Sequence, residues 1–287
     1  IFLIEAALML FPMGCAAIYG EWSVVLSFLW PTLIVLALGL ITSLRTPQNT
    51  KIYARDGLAI VALVWVLMSV FGALPFVISG EIPSFADAFF ETVSGFTTTG
   101  STILTDVEAL SHGTLFWRSF SHWIGGMGVL VFAMAVLPMT DGRAMHLMRA
   151  EVPGPTCGKI SSKLSDSAKI LYAIYLVMTV IETILLCAGG MPLFDALIHA
   201  FGTAGTGGFS NKALSVGAYN SPYFEIVIGV FMLLFGINFN LYYFLLLRHF
   251  REAFASEEMR VYLGIVAFST LTITANYGWT VSTCRSA

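Results

Sequence analysis

Apolar side chains run through this chain in long blocks separated by short polar stretches. A helix that crosses a bilayer needs ~20 mostly apolar residues. Blocks of that kind occupy 2–19, 22–44, 57–79, 114–139, 166–189, 221–247 and 259–277, and each is expected to form a membrane span. Gly20-Glu21 makes a tight link between the first two, and Pro31 is expected to kink the second. Two further apolar segments, 85–95 and 193–201, are too short to cross. Each stands between two full blocks and precedes a Gly/Thr/Ser-rich stretch, the pattern of a buried or re-entrant helix. Ser84 and Asp87 form a capping-box-like S-x-x-D at the start of the first, and Pro192 with Asp195 opens the second.

Composition narrows the class. The chain has 287 residues, 57% apolar and 11% charged. A soluble domain runs nearer 45–50% apolar and about 25% charged. A soluble fold could not hide so much apolar surface, so a water-soluble enzyme is excluded, and so is a disordered chain. The expected fold is an all-α polytopic membrane protein. The net charge of −3 gives no footing for nucleic acid. Cys15, Cys157, Cys187 and Cys284 lack paired spacing and read as core thiols. The chain starts with Ile1 inside an apolar run and shows no signal-peptide pattern, which suggests a trimmed start.

The few charges are distributed unevenly. Arg45, Lys51 and Arg55 fall in one loop, Arg143, Arg149, Lys159 and Lys163 in a second, Arg248 and Arg251 in a third. The loops around 80–113 and 190–220 carry one basic residue, Lys212. By the positive-inside rule the first three loops are cytoplasmic, and so is the N-terminus. That sidedness holds only if both short segments enter and leave on the outer face. The two units of span, short helix, loop and span then return to their starting side. They align with an offset of 108 residues: Asp87-Ala88 corresponds to Asp195-Ala196, and Thr98-Thr99-Gly100 to Thr206-Gly207-Gly208. The expected organisation is two N-terminal spans (1–46), a first pore repeat (57–139), a cytoplasmic linker (140–165), a parallel second repeat (166–247) and the start of a third (259–287).

Non-helical backbone at membrane depth is tolerated only where protein or a wet cavity satisfies it. Glycine permits the backbone angles that turn successive carbonyls toward one axis. Rings of such carbonyls can replace the hydration shell of a monovalent cation. A short helix ending at the membrane centre adds its partial negative end. No dense carboxylate cluster suits a divalent ion.

The residues here carry a resemblance. The segment Phe90-Glu91-Thr92-Val93-Ser94-Gly95-Phe96-Thr97-Thr98-Thr99-Gly100 resembles the first pore loop of Trk/Ktr/HKT-type potassium uptake proteins. Trp117-Arg118-Ser119 with Trp123-Ile124-Gly125-Gly126-Met127-Gly128 is similar to the start of the family's next helix. Met148 to Pro155 resembles its cytoplasmic linker, Gly205-Thr206-Gly207-Gly208-Phe209-Ser210 its second pore loop, and Gly236-Ile237-Asn238-Phe239-Asn240-Leu241 the helix after it. The pair of spans ahead of the first repeat is similar to the TrkH branch.

The resemblance implies potassium uptake across a bacterial inner membrane through a filter of four loops. Thr97, Thr98, Thr99 and Gly100 would form one loop, and Gly205, Thr206, Gly207 and Gly208 another. Potassium would sit at Thr98, Thr99, Thr206 and Gly207, and glycine at 100 implies preference over sodium. Glu91, Arg118 and Asn238 would support the filter. The implied partners are a second copy of the protein and a cytoplasmic nucleotide-binding subunit of TrkA type, with no cofactor in this chain. The family carries four repeats, and this chain reaches only into the third, as a fragment would.

Individual residues keep two readings each. Glu91 fits a hydrogen bond behind the filter or a direct electrostatic role; its register partner is His199. Arg118 fits snorkelling to the interface or setting the potential at the pore mouth. Asn238 and Asn240 could line a cavity or bond across helices. Gly125, Gly126 and Gly128 read as close-packing sites, and His112, His122, His146 and His249 as solvated or interfacial. Two other functions compete. An intramembrane hydrolase would use Ser94 with His122 or His199 as base, but Gly202 stands where the repeat would place a second serine. A sodium- or proton-coupled carrier would favour inverted repeats and charged midplane residues.

Overall fold

The computed structural model describes residues 1–44, 54–128, 164–246, 248 and 256–285. They divide into two compact units, Ile1–Gly236 and Ile237–Ala287. The fold is all-helical, with no strand among the described residues.

The first unit begins with α1 (Phe2–Leu8) and α2 (Leu10–Ile18), which replace the single span expected at 2–19. Proline lacks an N–H, so Pro12 cannot bond the Leu8 carbonyl, and the helix breaks at Met9 between them. A turn at Gly20 leads into α3 (Trp22–Ser43), which runs on through Pro31. Next come α4 (Ala54–Ser79), the short α5 (Phe85–Phe96) and α6 (His112–Met127). The same order recurs as α7 (Leu164–Ala188), the short α8 (Leu193–Ala204) and α9 (Pro222–Phe235), with a single 3-10 turn at Ser215–Tyr219 before α9. Gly80 and Gly190, both with positive φ, lie just past the ends of α4 and α7.

In the second unit α10 covers Phe239–Leu246 and α11 covers Glu257–Arg285. The span expected over 221–247 is thus two helices, because Gly236 favours coil and Asn238 competes for backbone hydrogen bonds. The polar tail from Thr280 does not stop α11, which continues to Arg285. Positions 129–139 of the fourth expected span, most of the 140–165 linker and most of the basic loop residues lie outside the described residues, as do His146 and His249.

Among the described residues three helical stretches are long and apolar enough to cross a membrane: Trp22–Ser43, Ala59–Ser79 and Lys169–Ala188. The 12 residues of α5 and of α8 rise only ~18 Å, short of a ~30 Å hydrocarbon core. Burial is inverted relative to a soluble protein. Trp22, Trp30, Ile184 and Ile226 are exposed, while Glu5, Glu91, Arg118, His122 and Glu182 are buried. Apolar side chains outside and polar ones inside suit a lipid solvent.

Trp117 centres the packing of the first half. Its indole N–H donates to the Gly72 carbonyl (2.9 Å), and its ring meets Phe28 and Phe96 edge-on. One residue thereby ties α3, α4, α5 and α6 together. The halves join through α6 and α7. Trp123 Nε1 donates to Thr179 Oγ1 (3.0 Å), and the Tyr175 hydroxyl donates to the Trp123 carbonyl (2.9 Å). A Cβ on Gly126 would collide with the Tyr175 hydroxyl, and one on Gly125 with the Phe96 carbonyl, so both glycines permit close approach, while Gly128 (φ +73) ends the helix.

Candidate functional site

Each short helix delivers a loop of Thr and Gly. Ser84 caps α5, its hydroxyl accepting from the Asp87 N–H; α8 starts behind Pro192, with Asp195 in its first turn. Such acids suit the positive end of a helix. Beyond the helix ends the two backbones follow one path. The Thr97 N–H donates to the Val93 carbonyl and the Gly205 N–H to the Phe201 carbonyl; the Thr98 N–H donates to Gly95 and the Thr206 N–H to Thr203. Each of these pairs keeps the 108-residue offset.

The dihedral angles repeat as well. Thr98 and Thr206 both have φ +55°, Gly100 has φ +76° and Gly208 has φ +75°. The residues between them, Thr99 and Gly207, are not among those with positive φ. A β-branched residue in the left-handed region is uncommon and strained. Its recurrence at one register of both loops marks a conformation that each loop holds deliberately. Alternation of handedness turns successive peptide planes, so neighbouring carbonyls need not point in opposite directions as they do in a strand.

The two loops touch. A Cβ on Gly100 would collide with the Gly207 carbonyl, and one on Gly207 would lie 2.7 Å from the Thr98 oxygen. Of the two predicted loops, 97–100 and 205–208, the structure thus brings Thr98 and Gly100 against Gly207. Thr97 and Thr99 pair through their hydroxyls (2.8 Å). No carboxylate stands within either four-residue loop.

Behind the loops lies a buried polar brace. The Glu91 carboxylate accepts from the Arg118 guanidinium, from Thr102 Oγ1 (2.8 Å) and from the Ile103 N–H (3.1 Å). Arg118 also donates to the Ser210 carbonyl (2.9 Å) and lies 3.7 Å from the centre of the Phe209 ring. One guanidinium thus links α5, α6 and the chain that leaves the second loop. Only 3% of Arg118 is exposed, so the snorkelling reading is overturned: a buried carboxylate and a carbonyl satisfy the charge internally. The second repeat echoes the brace. His199 Nε2 lies 3.5 Å from Ser210 Oγ, as Glu91 bonds Thr102 one repeat earlier.

His122 corrects another expectation. Its side chain is fully buried rather than interfacial, because it packs on Phe209, with ring centres 4.1 Å apart. His112 does sit at an edge, stacked on Tyr19 (3.9 Å) and bonded to Glu21 (2.8 Å). Asn238 falls in the other unit, where its amide donates to Glu258 (3.1 Å), and the side chain of Asn240 lies outside the described set. Ser94 donates to the Ser101 carbonyl, and neither His122 nor His199 bonds it, so the hydrolase reading finds no support in the geometry of these residues. The Glu91–Arg118 pair escaped sequence reading, which weighed each residue alone. The signal available was an acid inside the short apolar helix and the one formal charge in the helix that follows it.

Comparison with known proteins agrees with these features. A family model described as TrkH, cation transport protein, matches residues 23–283. The chain is 40% identical over 222 residues to the Trk system potassium uptake protein TrkH of Salmonella typhimurium, covering 76% of this chain and 46% of that protein. It is 35% identical to the Trk system potassium uptake protein TrkG of Escherichia coli, covering 94% and 56%. The crystal structure of the potassium transporter TrkH from Vibrio parahaemolyticus superposes with a TM-score of 0.70 at 32% identity, covering 84% of this chain and 49% of that one. The chain spans about half the length of these relatives. The chain therefore belongs to the TrkH family of cation transport proteins.

Proposed function

We propose that this chain supplies two of the loops of a potassium-conducting pore in a bacterial inner membrane, with its N-terminus in the cytoplasm. Residues 97–100 and 205–208 line the ion path, and potassium meets Thr98, Thr99, Thr206 and Gly207. The observation that carries the reading is the φ pattern repeated in the two abutting loops. Relatives named as potassium uptake proteins supply the ion. Glu91 and Arg118 support the path from behind, and Asn238, just ahead of the next helix, is proposed as a further supporting residue. The membrane potential, worth ~2.3 kcal/mol per charge per 100 mV, drives entry. In this reading the complete transporter is a homodimer and docks a cytoplasmic nucleotide-binding subunit of TrkA type. It needs no cofactor in this chain.

The test is potassium-limited growth of a bacterium lacking its own uptake systems, rescued by the full-length protein. Gly100→Ser is expected to weaken rescue and to shift preference from potassium toward sodium, because a side chain at φ +76° strains the loop and strikes Gly207. Unchanged growth and unchanged ion preference would remove Gly100 from the path.

A further inference from the structure

The two loops share a backbone path but differ in side chains. Thr97 and Thr99 of the first correspond to Gly205 and Gly207 of the second. Neither glycine is there for its freedom of φ: Gly205 has φ −77°, and Gly207 is absent from the residues with positive φ. What each lacks is room. A Cβ on Gly205 would stand 2.8 Å from the His122 carbonyl oxygen, and one on Gly207 would collide with His122 Nε2.

His122 is fully buried, and neither ring nitrogen has a hydrogen-bond partner among the described residues. A polar ring kept dry and unpaired opposes stability, and an apolar side chain would avoid that cost. Its surroundings give it a task. Arg118 and His122 are four residues apart on α6 and so share one face. Both lie on Phe209, the residue after Gly208. From there the contacts run in series: His122 against Gly207, and the Gly207 carbonyl against Gly100.

We propose that His122 is a positioning residue for the second loop: its imidazole takes the space that a side chain at 207 would need and so sets where the Gly207 carbonyl stands. The inference rests on the reading of these loops as the ion path. It accounts for the unequal composition of the loops, since the second has glycine rather than threonine at 205 and 207, where a ring from the neighbouring repeat is admitted. His122 acts through Gly207 and does not itself meet the ion.

A double-mutant cycle in the full-length protein tests it, scored by potassium uptake per molecule in the membrane and by potassium-to-sodium preference. Gly207→Ala is expected to cut uptake by on the order of tenfold or more, since small misplacements of reacting groups are costly. His122→Ala is expected to raise the KM for potassium several-fold and reduce preference over sodium, with maximal rate little changed. The two together should recover part of the uptake that Gly207→Ala loses, because the ring is gone while the Thr98 oxygen still stands 2.7 Å from the added Cβ. His122→Ala should rescue Gly205→Ala less than it rescues Gly207→Ala, because a Cβ at 205 meets the His122 carbonyl oxygen (2.8 Å) as well as its ring (2.9 Å). His122→Asn serves the same cycle if the alanine variant fails to accumulate. An unchanged KM and preference in His122→Ala, or a double variant as impaired as Gly207→Ala, would overturn the inference. If Gly100→Ser also leaves preference unchanged, the reading of the loops as the ion path falls with it; if Gly100→Ser shifts preference, only the role of His122 falls.

Discussion

Arg118 does three things at once: it neutralises Glu91, holds the Ser210 carbonyl and covers the Phe209 ring. A buried ion pair adds little net stability, but removing one partner strands a charge and costs about 3–5 kcal/mol. Arg118→Met is therefore expected to lower the melting temperature of the detergent-solubilised protein substantially. Adding Glu91→Gln discharges the orphan and should recover part of the loss. A melting temperature unchanged by Arg118→Met would show that the pair bears no load. Sequence reading found both residues but not their bond, because 27 positions separate them and they stand on different helices. Likewise it placed Gly100 and Gly208 through the repeat, yet set His122 at an interface. Position near the end of an apolar block says nothing of which neighbour covers a side chain, and here Phe209 does.

Elements were more legible than contacts. Both short helices stand where length and capping put them, with Ser84 bonding the Asp87 N–H as its spacing suggests. Breaks within apolar blocks were harder to see. Hydropathy is blind to Pro12 and to Gly236-Ile237-Asn238, whose effects act through the backbone. One cap was invisible because its donor and acceptor come from different elements. Glu21, in the turn between α2 and α3, accepts from the His112 and Gly113 N–H groups at the start of α6. Burial alone would raise its carboxyl, but these bonds and His112 outweigh burial and hold it below the usual value. A carboxylate with a depressed folded pKa stabilises above its unfolded pKa and loses that contribution as pH falls through the folded one. Thermal melting across acidic pH should thus find the protein losing stability below about pH 4, with a smaller acid-dependent loss in Glu21→Gln. Identical pH profiles for the two proteins would remove Glu21 from the clasp.

At the scale of the molecule, the inverted burial and the repeat of α4–α5–α6 as α7–α8–α9 were both readable in the sequence, the first from composition and the second from a constant offset. What the sequence could not give is that the two loops touch, since that contact depends on α6 packing on α8 through Phe116, Phe120 and Trp123 around Phe201. The central claim is that these touching loops hold the ion. Crystals of the full-length protein grown with thallous ion in place of potassium test it most directly. Anomalous peaks are predicted on the axis shared by residues 98–100 and 206–208, within coordinating distance of their oxygens. Peaks confined to other parts of the protein, with none between these loops, would contradict the account.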